Sequence, residues 1–348
     1  MQPSNHGRGS AWRRWAGALG FAVAGAWAAT AADAPDRTTD VRLVWPPAPA
    51  VARIAYERSI TGPASVGVRA SSLGRLGAWV SGAPATAPDL VKPFGLALDE
   101  SDNVCITDPG AGAVCFYDQG RKHWDRWTQA GGRSWEAPVA VARRDGVFYV
   151  ADAGWGRVVA FRQPERLLLS LTNGLTRPSG LALLGGHLYV ADAAGHRIVA
   201  FDLAGQPWRE FGRRGTGPGE FNYPTHLAAT PDGRLLVTDS LNNRIEVFDA
   251  EGKFLQSWGE AGDTPGHFAR PKGAAVDSLG HVYVLDALAD NLQLFDATGQ
   301  LLLVVGGNGA APGQFWMPAG IAITRKNEIW VADACNHRLQ VFQYLDAP

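Results

Sequence analysis

An Asp closes a short apolar run six times along this chain, at Asp108, Asp152, Asp192, Asp239, Asp286 and Asp333, in steps of 44, 40, 47, 47 and 47 residues. The copies agree in register. An aliphatic residue stands two places before each Asp (Ile106, Val150, Val190, Val237, Val284, Val331) and another six places after it (Val114, Val158, Ile198, Ile245, Leu292, Leu339). The ninth place after is always aromatic: Tyr117, Phe161, Phe201, Phe248, Phe295 and Phe342. A proline precedes each Asp by 14 or 15 residues, at Pro93, Pro138, Pro178, Pro224, Pro271 and Pro318. A regular period in the forties implies a solenoid or a propeller.

The fourth unit reads PTHLAAT-PDG-RLLVTD-SLNN-RIEVFD-AEG-KFLQSWG, four short apolar runs separated by turn residues. The pattern predicts four antiparallel strands per unit, and no stretch inside the repeats keeps helical spacing. A four-stranded sheet cannot bury both faces alone, so six copies imply an all-β, six-bladed β-propeller. The sixth repeat stops at its third strand, and RIAYERSI, Arg53 to Ile60, matches the fourth-strand segments KFLQSWG and PWREFG. An N-terminal strand is therefore expected to complete the last blade and close the ring, which removes an exposed sheet edge.

The segments VTDSLNNRIEVFD, SWGEAGDTPGHFARPKG and VADACNHRLQVFQ resemble the NHL repeat, and the resemblance runs over roughly residues 53–343. Units three to six carry it most fully. Units one (ITDPGAGAVCFYD) and two (VADAGWGRVVAF) depart in their loops and lack the P-G-x-F segment. The chain is similar to exported bacterial members of that family, and that resemblance brings no established activity. Amidating lyases are similar propellers whose zinc histidines directly follow the inner-strand proline. Here those places hold Phe94, Val139, Ser179, Thr225, Lys272 and Ala319, so that metal site is not expected.

Arg8, Arg13 and Arg14 precede an apolar stretch from Trp15 to Ala29 and then small residues, which reads as a signal peptide over 1–31 and implies a periplasmic or secreted protein. A proline-bearing lead-in, 32–52, is expected to run extended over the surface before the propeller domain, 53–345. Within the insertion 61–91, SSLGRLGAWVSG places Leu73, Leu76 and Trp79 at helical spacing, as a cap on the ring or a docking element. A net charge of -1 argues against a nucleic-acid partner, because neutralising phosphates needs a basic surface. No transmembrane span is expected once the signal is removed. Cys105 and Cys115 fall on adjacent strands and would form a disulfide if they face one another; two packed thiols is the other reading.

In a propeller, the loops entering the inner strands and those joining second to third strands open on one face, the face with the Asp ring. Arg157, Arg197, Arg244 and Arg338 follow their Asp by five residues, so Asp152, Asp192, Asp239 and Asp333 are expected to form structural ion pairs with them. Functional residues are sought where the repeat is broken. The second place after the proline is small in five blades (Gly95, Ala140, Gly180, Gly273, Gly320) and His226 in the fourth. Lys272 is the one charge among the places directly after the proline, where Phe94 and Thr225 also stand. Trp155 occupies a loop place held elsewhere by small residues or Asn, and it is taken as a partner contact. The ligand or partner site is therefore assigned to Trp155, His226, Lys272, Phe94 and Thr225. The expected function is a non-catalytic binding or scaffold module for a protein, peptide or small ligand, with no cofactor. The alternative is a metal-dependent lactonase- or lyase-like enzyme with a divalent metal in the channel.

Overall fold

The computed structural model describes residues 42–68, 89–172 and 174–345. The expected signal peptide and the helical part of the 61–91 insertion lie outside them. Among the described residues no helix is long and apolar enough to cross a membrane.

The described chain forms six antiparallel sheets arranged as blades, together with a two-stranded hairpin, Gln129–Ala130 with Arg133–Ser134. Blade four is representative: Pro224–Ala229 nearest the axis, then Leu235–Asp239, Arg244–Phe248 and Phe254–Trp258 outermost. Blade six takes three strands from the end of the chain and its fourth, Ile54–Ile60, from the beginning. Ile54 lies opposite Tyr344 and Ile60 opposite Leu339, so the two ends of the propeller are paired in one sheet. The lead-in adds something the sequence did not suggest: Val44–Trp45 pairs with Ala55 and Ile54 as a fifth strand of the same blade.

Alternation along each strand sends successive side chains to two different neighbours, because strand side chains have a period of two. Leu235 and Val237 pack toward blade three and Leu236 toward blade five. Six apolar clusters result, one at each seam between blades. The aromatic of the ninth place sits in a seam in every blade, and burying such a side chain contributes about 1.5–3 kcal/mol. In the loops before blades four, five and six, the P-G-x-F phenylalanines Phe221, Phe268 and Phe315 are fully buried and add a second ring to their seams.

The same alternation decides between the two readings of the cysteines in favour of packed thiols. Cys105 lies opposite Phe116 and Cys115 opposite Ile106, so the two thiols project from opposite faces of the sheet. Cys105 packs with Phe116 and Phe148 in one seam, and Cys115 with Tyr117 and Trp124 in the other. Both are free, and burial pushes the Cys115 thiol up to about 12 and that of Cys105 higher still. A maleimide should therefore label Cys335 in the native protein and all three cysteines only after denaturation. Native labelling of Cys105 or Cys115 would refute this packing.

Small residues beside the axis are also explained by packing. A Cβ on Gly320 would lie 2.1 Å from the Phe94 carbonyl oxygen, and one on Gly273 2.5 Å from that of Ala319. Neighbouring inner strands approach too closely there for a side chain. His226 stands against Gly180, whose added Cβ would meet the His226 Cα at 2.9 Å.

Candidate functional site

The six repeat Asp residues are buried, and their carboxylates hold the loops between blades. Asp108 accepts the main-chain N–H groups of Val91 and Lys92 at 2.7 and 2.8 Å, and Asp152 those of Glu136 and Ala137 at 2.9 and 3.0 Å. Asp192, Asp239, Asp286 and Asp333 do the same for the loops entering blades four to six and for that before blade three. Arg197, Arg244 and Arg338 reach their Asp at 3.3, 3.1 and 2.8 Å. Arg157 does not: its guanidinium donates to Ser170, and Asp152 is filled by main-chain donors from its own turn, Gly154 and Trp155. The expected Asp152–Arg157 pair is thus absent although the two residues are cross-strand neighbours.

With those carboxylates turned into the loops, the centre of the face is left to other residues. A cavity of about 300 Å³ opens there, lined by Phe94, Thr225, His226 and Lys272 among others. Four of the five residues assigned to the ligand or partner site thus share one pocket, brought together from blades one, four and five. A second cavity of about 530 Å³ occupies the opposite end of the axis, and the two have Gly95 and His226 in common.

Electrostatics separate the two ends. Lys272 sets its ammonium 5.3 Å from the centroid of Phe94, a cation–π contact. Burial pushes the Lys272 pKa down, and the charges of Arg270, Arg177 and Lys92 push in the same direction. The His226 imidazole is pushed down to about 4, first by burial and then by the charge of Lys272, against a main-chain hydrogen bond to Ala274. It is therefore neutral near pH 7. The residue as a whole is partly exposed, and it lines both cavities. The Thr225 hydroxyl is buried without a hydrogen-bond partner. At the opposite mouth carboxylates and cations line the cavity together, Arg143 paired with Asp99 and Arg325 with Asp102 beside Glu100 and Arg144.

Trp155 is not part of this pocket. Its ring stacks on Trp135 with centroids 5.0 Å apart and an interplanar angle of 20°, with the Arg133 guanidinium over it at 4.7 Å. The expected partner contact is instead largely seam packing between blades one and two. Arg177 and Arg270 line the pocket and were not anticipated. The signal was available: with Lys92 they occupy the place immediately before the repeat proline in blades one, three and five. Among the described residues, no three His, Cys, Asp or Glu side chains come together as a metal-binding group.

Comparison with known proteins agrees with this architecture. A model of the NHL repeat matches residues 175–201 and 315–342, and one described as a 6-bladed beta-propeller matches 226–286. No curated protein sequence matches the chain. Among solved structures it is similar to a protein of unknown function from Bacteroides thetaiotaomicron, with 16% identity, TM-score 0.59, and 74% of this chain and 71% of that one covered. A streptogramin B lyase has 14% identity and TM-score 0.57, with 75% and 96% covered. A gluconolactonase from Xanthomonas campestris has 14% identity and TM-score 0.56, with 74% and 87% covered. Identities this low speak for the fold alone. Repeat register, ring closure and family matches agree that the chain is a six-bladed β-propeller carrying NHL repeats.

Proposed function

We propose that the protein is a non-catalytic binding module that takes a ligand, or a small part of a partner, into the axial pocket of its loop face. The observation that carries this reading is the pocket itself. His226 and Lys272, which break the repeat, converge there with Phe94 and Thr225, on a frame whose own Asp carboxylates are consumed in holding the loops. The loops of that face also expose apolar side chains, Tyr223, Leu241, Leu288 and Trp316, as a contact surface would. A rigid ring with a preformed concavity suits binding with little reorganisation.

The enzyme alternative draws on likeness of fold to a lyase and a lactonase. A metal-dependent site would need several ligating side chains on neighbouring inner strands, and the described residues offer His226 flanked by Gly and Ala positions. The neutral His226 is available as a hydrogen-bonding group, with no carboxylate lining the same pocket to work with it.

The test is native mass spectrometry of the protein after incubation with a library of metabolites and short peptides, followed by chemical identification of what it releases. A bound molecule recovered unchanged, and lost in Thr225→Phe, which fills the pocket, is the expected result. A molecule released with altered mass would overturn the non-catalytic reading. Equal capture by Thr225→Phe would move the site elsewhere.

A further inference from the structure

The pocket carries an imbalance of charge that bears on what it binds. Three cationic side chains line it, those of Lys272, Arg177 and Arg270, and no Asp or Glu does. Among the described residues none of the three side chains has a carboxylate partner or a hydrogen bond to a carbonyl. The repeat carboxylates that could have neutralised them are turned away into the loops, Asp192 onto the Arg177 N–H and Asp286 onto the Arg270 N–H. Like charges held together without counter-charge repel one another, and a half-buried ammonium loses hydration besides. The opposite mouth, built by the same fold, sets Asp99, Glu100 and Asp102 beside Arg143, Arg144 and Arg325. The imbalance therefore belongs to this site and not to propeller architecture.

The remaining groups narrow the ligand further. Ser179 and Ser240 already donate their hydroxyl hydrogens to main-chain carbonyls, Ser179 to that of Pro224 at 2.9 Å and Ser240 to that of Pro271 at 2.7 Å. The Thr225 hydroxyl has no partner and can donate. Phe94, Val139, Leu241 and Ala319 supply apolar wall. A volume of about 300 Å³ lies at the small end for ligand pockets.

Building on the binding-module reading, we propose that the loop-face pocket binds a small amphipathic anion, its carboxylate or phosphate head group received by Lys272, Arg177, Arg270 and the Thr225 hydroxyl and its apolar body set against Phe94. The anion supplies the counter-charge that the blades withhold, and charge-assisted hydrogen bonds in a partly dry site are the strong kind. Phe94 then has two partners, the Lys272 ammonium on its face and the ligand beside it.

Four probes of one shape test this: benzoate, phenyl phosphate, benzyl alcohol and benzylammonium, titrated against the full chain by ligand-observed NMR. Both anions are expected to bind at least about tenfold more tightly than the neutral and cationic probes, a difference of about 1.4 kcal/mol. The ratio of the two anions identifies the head group. Lys272→Gln should weaken anion binding about tenfold while Lys272→Arg keeps it, and Arg325→Gln at the other mouth should change nothing. Failure of both anions to bind, benzyl alcohol binding as tightly as benzoate, or an unaltered affinity in a folded Lys272→Gln overturns the proposal. If the neutral probe binds equally and Thr225→Phe still blocks it, the anion inference falls while the pocket remains a binding site. A captured ligand released in altered form sinks the non-catalytic reading and leaves the charge preference standing.

Discussion

Asp333→Ala is expected to lower the stability of the propeller by about 3–5 kcal/mol, the cost of orphaning a buried charge. Asp333 is fully buried, and its two oxygens receive the Trp316 N–H at 2.8 Å, the Arg338 Nε at 2.8 Å, the Asn336 amide at 2.9 Å and the Gln340 amide at 3.0 Å. Arg338 is itself 8% exposed, with its remaining donors on the carbonyls of Ala310, Ala311 and Gln314. Truncating the carboxylate leaves that guanidinium buried without counter-charge and frees the loop entering blade six, whose inner strand shares its sheet with the closing strand. Asp108→Ala makes the contrast, because blade one has Ala113 in place of the Arg and only main-chain N–H groups are orphaned there. Urea midpoints should fall for both variants and clearly further for Asp333→Ala, and Asp333→Leu combined with Arg338→Met should recover part of the loss. An Asp333→Ala midpoint no lower than that of Asp108→Ala would show that the ion pair contributes nothing beyond the loop contacts.

The frame was legible because a propeller writes each blade in the same register, so period, core aromatic and closing strand could all be read along the chain. The closing strand was placed at Arg53 to Ile60 and forms over Ile54–Ile60. Legibility failed where the deciding fact was which face a side chain takes or which residues the ring brings together. Cys105 and Cys115 are on adjacent strands, yet one residue of register puts them in different seams. Arg157 stands in the repeat position, but Gly154 and Trp155 in its turn already fill Asp152 with main-chain donors. Trp155 breaks the pattern, and the ring it stacks on, Trp135, directly follows a hairpin outside the repeat. The pocket was half visible: His226 and Lys272 stand out in the two places after the proline, where Phe94 and Thr225 also stand, while Arg177 and Arg270 needed the place before the proline to be compared across alternate blades.

A comparison at the seventh place after the Asp exposes a mismatch in blade four and the second large effect, a stabilising one. Blades five and six have Gln293 and Gln340 there, each accepting a glycine N–H of the P-G-x-F loop through its carbonyl oxygen, from Gly266 at 2.8 Å and Gly313 at 2.9 Å. Each also donates its amide to the carbonyl of the residue before the Phe, His267 at 2.8 Å and Gln314 at 2.6 Å. Blade four has Glu246. One oxygen accepts the Gly219 N–H at 3.2 Å and meets Arg244 at 3.2 Å; the other is buried with no partner, facing a role that requires a donor. Burial pushes the Glu246 carboxyl up to about 7, more than the Arg244 charge holds it down, with Asp239 and Glu220 adding to the rise. Below the unfolded carboxyl's pKa both states are protonated and Glu246 costs nothing. As pH rises toward 7 the unfolded state ionises first and the native state keeps its proton, so stability falls across that window and levels off above it. The loss is on the order of 3 kcal/mol, from the size of the shift. Glu246→Gln supplies the missing donor to the Glu220 carbonyl and has no charge to bury. It is therefore expected to raise the thermal midpoint at pH 8, by a gain of about 2–3 kcal/mol, and to leave it nearly unchanged at pH 4.5. Thermal unfolding of both proteins at the two pH values decides it: a gain that does not depend on pH, or no gain at pH 8, would mean that Arg244 alone satisfies Glu246 in its charged form.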